Sequence, residues 1–224
     1  MPIKRSYAEH GDACLTAHAV ELIGDRWTYP VLRELLLGPK RFGELAAAVH
    51  GITPAVLTTR LREMEASGLA VRDMLPPPAS SSVYRLTPWA LELEPVLQAM
   101  GRWAHRDPGR GAPVGGLTPD GAIQSMLTMA PPSPPAGGLE LQLDLHDARV
   151  SGDLSYSYRL SWDGSGLRIE RGEHPAPAAT LRADSSALAG MLYEVHGLLP
   201  GDEATEVTGD RDAVDRLLAA FPDA

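Results

Sequence analysis

Apolar residues in the first part of the chain recur every three or four positions, which places them on one face of an α-helix. This period runs through residues 19–23, 26–38, 41–51, 54–67 and 87–104. Thr53-Pro54 and Thr87-Pro88 are typical helix starts, because threonine can accept a hydrogen bond from a free amide and proline has no amide to leave unpaired. Gly38 and Gly68 are predicted to end helices.

The period changes to two in the second half of the chain, where residues 139–146 and 154–162 alternate strictly. They predict two half-buried antiparallel strands. A tight turn at residues 163–166 leads into a further strand, and residues 179–184 form another. Helices beginning near Thr118 and Ser185 can cover the apolar face of this sheet, and residues 212–221 predict a closing helix. The fold class is therefore α+β.

Residues 103–118 separate the two patterns and are rich in glycine and proline, with no apolar periodicity. We therefore predict a first domain over residues 1–106, a linker over 107–118 and a second domain over 119–224. The second domain is expected to consist of an antiparallel sheet and helices.

The composition is typical of a soluble globular protein, since 44% of the 224 residues are hydrophobic. No run approaches the roughly 18 apolar residues of a membrane span, and the N-terminus carries acids where a signal peptide is apolar. We therefore expect a cytoplasmic protein without a membrane partner. Cys14 is the single cysteine, which excludes an internal disulfide framework and a cysteine-rich metal site.

The net charge of −9 argues at first against binding to nucleic acid, because phosphates repel an acidic surface. The charge is unevenly distributed, however. Residues 1–110 hold 13 basic and 12 acidic side chains, whereas residues 111–224 hold 7 and 17. The first domain can therefore still bind DNA if its basic residues cluster.

The predicted helix within residues 51–72 has two faces of different chemistry. Leu57, Leu61 and Met64 fall on one stripe, which predicts packing against a core. The opposite face gathers small methyl groups, hydroxyls and one guanidinium, from Ala55, Thr58, Thr59 and Arg62. A helix that lies in the major groove of DNA uses such groups.

Two short strands are predicted after this helix, at residues 69–74 and 83–87, with a proline- and serine-rich tip at 75–82 between them. The helices and this hairpin form the order of a winged helix-turn-helix. About residues 7–105 resemble the HxlR family of bacterial transcriptional regulators. The likeness rests on the spacing from Cys14 to Ile23-Gly24, on Arg26-Trp27, Gly38, Arg41-Phe42, Gly51-Ile52 and the series from Leu57 to Leu69, and on the later "YRLT" and "LEPVL". The resemblance implies a homodimer, built by the first and last helices of the domain, that binds a pseudo-palindromic operator in double-stranded DNA.

By this resemblance, the helix starting at Thr53 is the recognition helix. Arg62 is expected to reach guanine or phosphate, whereas Arg60 is expected to be structural or to contact the DNA backbone. The segment before Tyr84 lacks the basic residue usual in the family, so the strand arginines are assigned backbone contacts. The predicted DNA-binding residues are Lys40, Arg41, Thr53, Ala55, Thr58, Thr59, Arg62, Arg72 and Arg85.

Cys14 supports two interpretations. Family members with a cysteine at this position can use it as a redox sensor, through a bridge across the dimer or a mixed disulfide. The alternative is a small buried hydrophobic residue. We favour the buried role, because His18 is the only nearby residue in the sequence that could lower the pKa of the thiol.

The order of helix, antiparallel sheet, helix and the closing segment "VTGDRDAVDRLLAAF" resembles the sterol-carrier-protein-like fold. This resemblance implies an apolar cavity between the sheet and the helices for a lipid-like or other hydrophobic small molecule. The predicted ligand-binding residues are Tyr156, Tyr158, Trp162, Leu188, Met191, Leu192, Val195 and His196.

The sequence contains no nucleophile elbow, zinc-protease motif or phosphate-binding loop, so we predict no catalytic residue, metal or cofactor. Residues 144–147, "DLHD", are interpreted as a solvated strand edge. The combined hypothesis is a dimeric repressor whose operator affinity changes when a hydrophobic effector binds the second domain. Two alternatives stay open: a thiol-redox regulator acting through Cys14, and a carrier domain that the DNA-binding module merely localises.

Overall fold

The computed structural model describes residues 7–76, 81–109, 115–150, 154–193 and 205–221. Its contacts divide the chain into two compact units, Met1–Glu92 and Leu93–Ala224. The fold is mixed α and β, with a helix-turn-helix in the first unit and a sheet covered by helices in the second.

The first unit contains the predicted helices and hairpin. Its helices are α1 (Leu15–Ile23), α2 (Thr28–Leu36), α3 (Phe42–Ala48), α4 (Pro54–Ala66) and α5 (Pro88–Leu91). Thr53 Oγ1 accepts a hydrogen bond from Val56 N at 3.3 Å, and Thr87 Oγ1 accepts one from Ala90 N at 3.1 Å. Both threonines therefore cap helices as predicted. Gly38 and Gly68 have positive φ angles of 135° and 74° where α2 and α4 have ended, a conformation that favours glycine.

The hairpin consists of β1 (Ala70–Met74) and β2 (Ser82–Leu86), which pair antiparallel with Arg72 opposite Tyr84. Lys40 adds a third stretch of backbone to this sheet. Its amide donates to Tyr84 O at 3.0 Å, and Tyr84 N donates to Lys40 O at 2.8 Å. The connection between α2 and α3 is thus hydrogen-bonded to the β1–β2 hairpin, which is the wing of this domain.

The second unit is built on a sheet with strand order β5-β4-β3-β6-β7. The strands are β3 (Leu139–His146), β4 (Ser155–Asp163), β5 (Gly166–Arg171), β6 (Ala179–Asp184) and β7 (Glu206–Gly209). The predicted antiparallel pairing of the two alternating segments is confirmed, with Leu139 opposite Trp162. However, β6 pairs parallel to β3, so the sheet is mixed rather than wholly antiparallel. Alternation specifies which face of a strand is buried and carries no information about the direction of its neighbour.

Helices α7 (Pro119–Met129), α8 (Ser185–Tyr193) and α9 (Arg211–Ala219) cover the apolar face of the sheet. Thr118 caps α7 by accepting from Gly121 N at 3.0 Å, and Asp210 caps α9 by accepting from Ala213 N at 3.3 Å. The predicted helix beginning at Ser185 is described up to Tyr193, and its remainder lies outside the described residues.

Helix α6 (Glu94–His105), which the sequence analysis placed at the end of the first domain, groups by its contacts with the second unit. It packs on α7. Arg102 Nη1 donates to Thr128 O at 3.1 Å, and a Cβ added at Gly101 would lie 2.9 Å from Thr128 Cγ2. A side chain at position 101 would therefore require Thr128 to shift.

Candidate nucleic-acid interface

Helix α4 has the two faces that its sequence predicts. Leu57, Leu61 and Met64 are at most 1% exposed and belong to the core of the first unit. Thr53, Ala55, Thr59 and Arg62 are exposed, and Thr58 is half-buried. These five side chains therefore lie together on a surface that water, or a DNA groove, can reach.

The threonine hydroxyls on this surface have defined hydrogen-bonding roles. Thr58 Oγ1 donates to Pro54 O at 2.8 Å, and Thr59 Oγ1 donates to Ala55 O at 3.1 Å. Because their protons are bound to the helix backbone, these two hydroxyls present lone pairs and a methyl group to the outside. Such a surface suits base amino groups and thymine methyls. Thr53 accepts at its helix cap and keeps a proton to donate.

The two arginines of α4 differ in their partners. Arg60 bonds Asp25 Oδ1 at 2.8 Å and Glu63 Oε2 at 2.6 Å, and its side chain is only 17% exposed. It is therefore a structural residue. Arg62 is exposed and forms no hydrogen bond or ion pair with another described residue. Its donors are available for a base edge or a phosphate.

Lys40 does not lie on this surface, and the prediction that it contacts phosphate is wrong. Its side chain is fully buried, and its ammonium forms an ion pair with the equally buried Glu34 of α2. The backbone amide and carbonyl of Lys40 are both held by Tyr84 of β2, and its side chain points into the core. Its charge is therefore neutralised inside the domain.

The remaining basic candidates are exposed, and each has one side-chain partner among the residues that the structure describes. Arg41 Nε donates to Ser81 Oγ at 2.9 Å, and Arg72 Nε donates to Ser82 Oγ at 2.6 Å. Both guanidinium groups therefore keep further N–H donors for phosphate. Arg85 pairs with Asp73 at 2.9 Å, and hydrogen bonds from Arg85 and from Met74 N hold the pKa of Asp73 below its usual value. Part of the Arg85 charge is thus compensated within the hairpin.

Cys14 is exposed, so the prediction that it is a small buried residue is wrong. It is the N-cap residue of α1 and lies beside the free amides of the first turn. Hydrogen bonds from the backbone of Ala17 and then of Thr16 lower the pKa of the thiol. A search of the sequence for neighbouring cations misses this cause, because the donors are backbone amides at a helix start.

In the second unit, most predicted ligand-binding residues are packed into the core. Five are at most 1% exposed, and Tyr156 is half-buried; the five are Tyr158, Trp162, Leu188, Met191 and Leu192. Val195 and His196 lie outside the described residues. The two apolar surfaces therefore meet in a packed interior.

A buried polar cluster near Tyr158 was not predicted. The Tyr158 hydroxyl donates to Asp120 Oδ1 at 2.6 Å, and Arg171 pairs with Asp120 Oδ2. The Arg171 guanidinium also lies over the Tyr156 ring, 4.0 Å from its centroid. Burial lowers the pKa of Arg171, but the charge and hydrogen bond of Asp120 outweigh burial and raise it above its usual value. No sequence signal joins Asp120 to a partner 51 residues away.

Trp162 Nε1 and Tyr193 Oη are further hydrogen-bonding atoms buried in the same core. Among the described residues Trp162 Nε1 has no hydrogen-bond partner, whereas the Tyr193 hydroxyl interacts with Ser125. The Phe221 ring lies against both residues, with centroid distances of 5.6 Å to Trp162 and 6.1 Å to Tyr193. Burial raises the pKa of Tyr193 to about 12, against a smaller opposing effect of Ser125, so its hydroxyl keeps a proton to donate at neutral pH.

An open depression of about 330 Å³ lies at the paired ends of β3 and β4 and is lined by Asp144, Leu145, His146, Ser155, Tyr156, Ser157 and Arg182. Its charges pair with one another, since Asp144 Oδ2 accepts from Arg182 Nε at 3.2 Å. His146 is exposed. Among the described residues, no group of three or more His, Cys, Asp or Glu side chains is arranged to hold a metal ion. No helix among all the described residues is long and apolar enough to span a membrane.

A family model described as HxlR-like helix-turn-helix matches residues 22–110. The HTH-type transcriptional regulator sll1512 of Synechocystis sp. is 40% identical over 92 residues, which make up 41% of this chain and 68% of that protein. YodB, an HTH-type transcriptional regulator of Bacillus subtilis, is 34% identical over 93 residues, or 41% of this chain and 83% of that protein. These relatives are transcriptional regulators, which are not enzymes.

Solved structures are similar over the same part of the chain. The reduced form of Bacillus subtilis YodB is 31% identical and covers 45% of this chain and 100% of that one, with a TM-score of 0.41. The reduced form of the redox regulator HypR is 29% identical, and the match covers 41% of this chain and 91% of HypR, with a TM-score of 0.38. The family match ends at residue 110, so the likeness of the second domain to sterol carriers stays a prediction. Through its N-terminal helix-turn-helix, the chain belongs to the HxlR-like family of transcriptional regulators.

Proposed function

We propose that this protein is a cytoplasmic homodimeric regulator, most simply a repressor, that binds an inverted repeat in double-stranded DNA through α4. The observation that carries the proposal is the exposed side of that helix, where Arg62 projects beside Ala55, Thr58 and Thr59. Two-fold symmetric dimers of this class place their half-sites about one helical turn apart. Footprinting on DNA selected from a randomised library should therefore show two symmetric protected blocks. A single asymmetric block would contradict the dimer.

Exposed apolar residues on two helices support the dimer. No residue of α1 is buried, and Leu15 is 84% exposed. On α6, Val96, Met100 and Trp103 are exposed at helical spacing, with Trp103 71% exposed. Apolar surfaces of this kind are unfavourable in water and mark interaction sites. One chain has a mass of 23.9 kDa, and sedimentation equilibrium should give twice this mass.

The proposed signal is a hydrophobic effector in the second domain. The donor Trp162 Nε1, which is buried without a partner among the described residues, supports this part of the proposal, because such a donor costs about 1–3 kcal/mol. An apolar molecule carrying an acceptor oxygen would satisfy it. The described side chains around it are closely packed, so binding requires the helices that cover the sheet to move. Such an effector must bind the DNA-binding and DNA-free arrangements with different affinities.

Tyr193→Phe provides a test of this effector site. The variant removes a buried hydroxyl that interacts with Ser125 and keeps the ring against Phe221, so we expect a melting temperature close to that of the wild type. Dodecanoate and dodecanol, as probes, should raise the melting temperature of the wild type and raise that of the variant less. Met191→Trp, which overfills the same core, should lose about 1–3 kcal/mol of stability. If neither probe changes the wild-type melting temperature or its operator affinity, these residues form only a core.

A second candidate signal is oxidation of Cys14, favoured by the exposure of its thiol and the lowered pKa. A thiolate is the reactive form of cysteine, so a lower pKa increases the reactive fraction near neutral pH. Oxidation of two thiols by diamide would join Cys14 of one protomer to Cys14 of its partner. If diamide releases DNA from the wild type but not from Cys14→Ser, this second signal is correct.

The pH dependence of Cys14 alkylation is a direct prediction of this geometry. Since Cys14 is the single cysteine, iodoacetamide labelling reports on this thiol alone. The pKa of the Cys14 thiol is lowered in the folded protein. The labelling rate should therefore reach half its maximum at a lower pH in native buffer than in concentrated urea, because in urea the helix amides no longer hydrogen-bond the sulfur. Equal midpoints in the two solvents would exclude an effect of the helix start.

A carrier domain localised by a DNA-binding module is the remaining alternative. A carrier would bind the lipid-like probes without any change in operator affinity. An effector-controlled regulator would instead show coupling of about 1–3 kcal/mol between binding of the probe and binding of operator DNA. Titrating operator DNA at fixed dodecanoate concentrations separates these functions. A constant operator affinity together with saturable binding of dodecanoate would favour the carrier.

A further inference from the structure

The Glu34–Lys40 ion pair is fully buried inside the DNA-binding unit. The second carboxylate oxygen of Glu34 accepts from Arg33 Nη2 at 3.1 Å. Replacing a buried ion pair by apolar side chains of similar size is often neutral or stabilising. Stability alone therefore gives no sufficient reason for two charges at this place.

Lys40 is held from two sides. Its side chain reaches α2 through Glu34, while its backbone exchanges two hydrogen bonds with Tyr84 of β2, at 3.0 and 2.8 Å. The side chain and the backbone of one residue thus connect α2 to the wing. A charge-assisted hydrogen bond is directional and fixes the relative position of its two side chains, whereas the hydrophobic effect has no preferred direction.

The residue that follows is Arg41, an exposed basic residue of the proposed DNA surface. It is the N-cap residue of α3, its amide donates to Glu44 Oε2 at 2.6 Å, and its Nε donates to Ser81 Oγ at 2.9 Å. Ser81 directly precedes β2. The direction of the Arg41 guanidinium therefore depends on where Lys40 holds the start of α3 against the wing.

We infer that Glu34 and Lys40 are positioning residues for DNA binding: their buried ion pair orients Arg41 toward the phosphate backbone. This inference rests on the proposed function of the first unit. This role also explains why Lys40, the residue before Arg41, is buried rather than exposed to solvent. Neither Glu34 nor Lys40 touches the DNA in this arrangement, because both are inaccessible.

The double variant Glu34→Leu/Lys40→Met separates positioning from stability. We expect a melting temperature close to that of the wild type, because the pair is replaced by packed apolar side chains. Binding to a duplex of random sequence should nevertheless weaken about tenfold at low salt. The slope of log K against log[salt] should become shallower by about 1 for each phosphate that the variant no longer neutralises.

Adding Arg41→Ala to both backgrounds completes the test. In the wild type this change should remove the same phosphate contact, whereas in the double variant it should have little further effect. Additive losses would show that the pair does not act through Arg41 and would overturn the inference. A folded double variant with an unchanged affinity and salt slope would overturn it as well.

Glu34→Gln keeps the shape of the side chain and serves if the double variant does not fold. Its effect on the pair can be read without DNA, by hydrogen exchange of the Tyr84 amide, which donates to Lys40. We expect faster exchange at Tyr84, with the amide of Leu61 in α4 unchanged. Unchanged exchange at Tyr84 contradicts the positioning role, whereas a wild type that binds no duplex contradicts only the proposed DNA-binding function.

Discussion

Replacing Arg62 by alanine is expected to cost about 1–3 kcal/mol of binding to the selected operator and to relax its sequence preference. The guanidinium is exposed on α4 opposite the buried stripe and has no partner among the described residues, so its donors are free to meet a base edge. The measurement is a titration of the selected duplex and of a random duplex at the same salt concentration, because affinities at different salt cannot be compared.

Arg41→Ala is the matched control for this prediction. Arg41 lies at the start of α3 beside the wing, where it is expected to contact phosphate. Its loss should therefore weaken selected and random duplexes alike and reduce the salt slope by about 1. If Arg62→Ala also weakens both duplexes equally, Arg62 contacts phosphate and the bases are recognised by other side chains of α4.

Asp120→Ala is expected to lower the free energy of unfolding of the second unit by about 3–5 kcal/mol. Asp120 is fully buried and accepts from the Tyr158 hydroxyl while it neutralises Arg171. Its removal leaves a guanidinium that is only 22% exposed, and a buried hydroxyl, without this partner. Urea unfolding monitored by circular dichroism measures the loss.

Two further variants make this prediction specific. Glu170→Ala removes an exposed carboxylate paired with Arg159 at 2.6 Å, and the urea midpoint should stay nearly unchanged because such surface pairs contribute little. Asp120→Ala/Arg171→Met removes both buried charges and should recover much of the loss. If the double variant is no more stable than Asp120→Ala, the cost arises from Tyr158 and the helix start rather than from the stranded charge.

Local patterns in the sequence determined most of the secondary structure of this protein. A helix or strand with one buried face repeats its apolar residues with the period of its own backbone, so Leu57, Leu61 and Met64 reveal the buried side of α4 without any tertiary information. Thr53 and Thr87 mark helix starts for the same reason, since the amides that they cap lie three residues further along the chain.

The tertiary structure alone decided where individual polar side chains point and what they meet. Lys40 has the local sequence of an exposed base and is buried because Glu34 and Tyr84 hold it, while Cys14 is small and apolar and is nevertheless exposed. The parallel pairing of β6 with β3 and the contact of Asp120 with Arg171 join residues that are tens of positions apart. Periodicity reports only which side of an element faces the core, whereas these contacts depend on which elements meet there and in which direction they run.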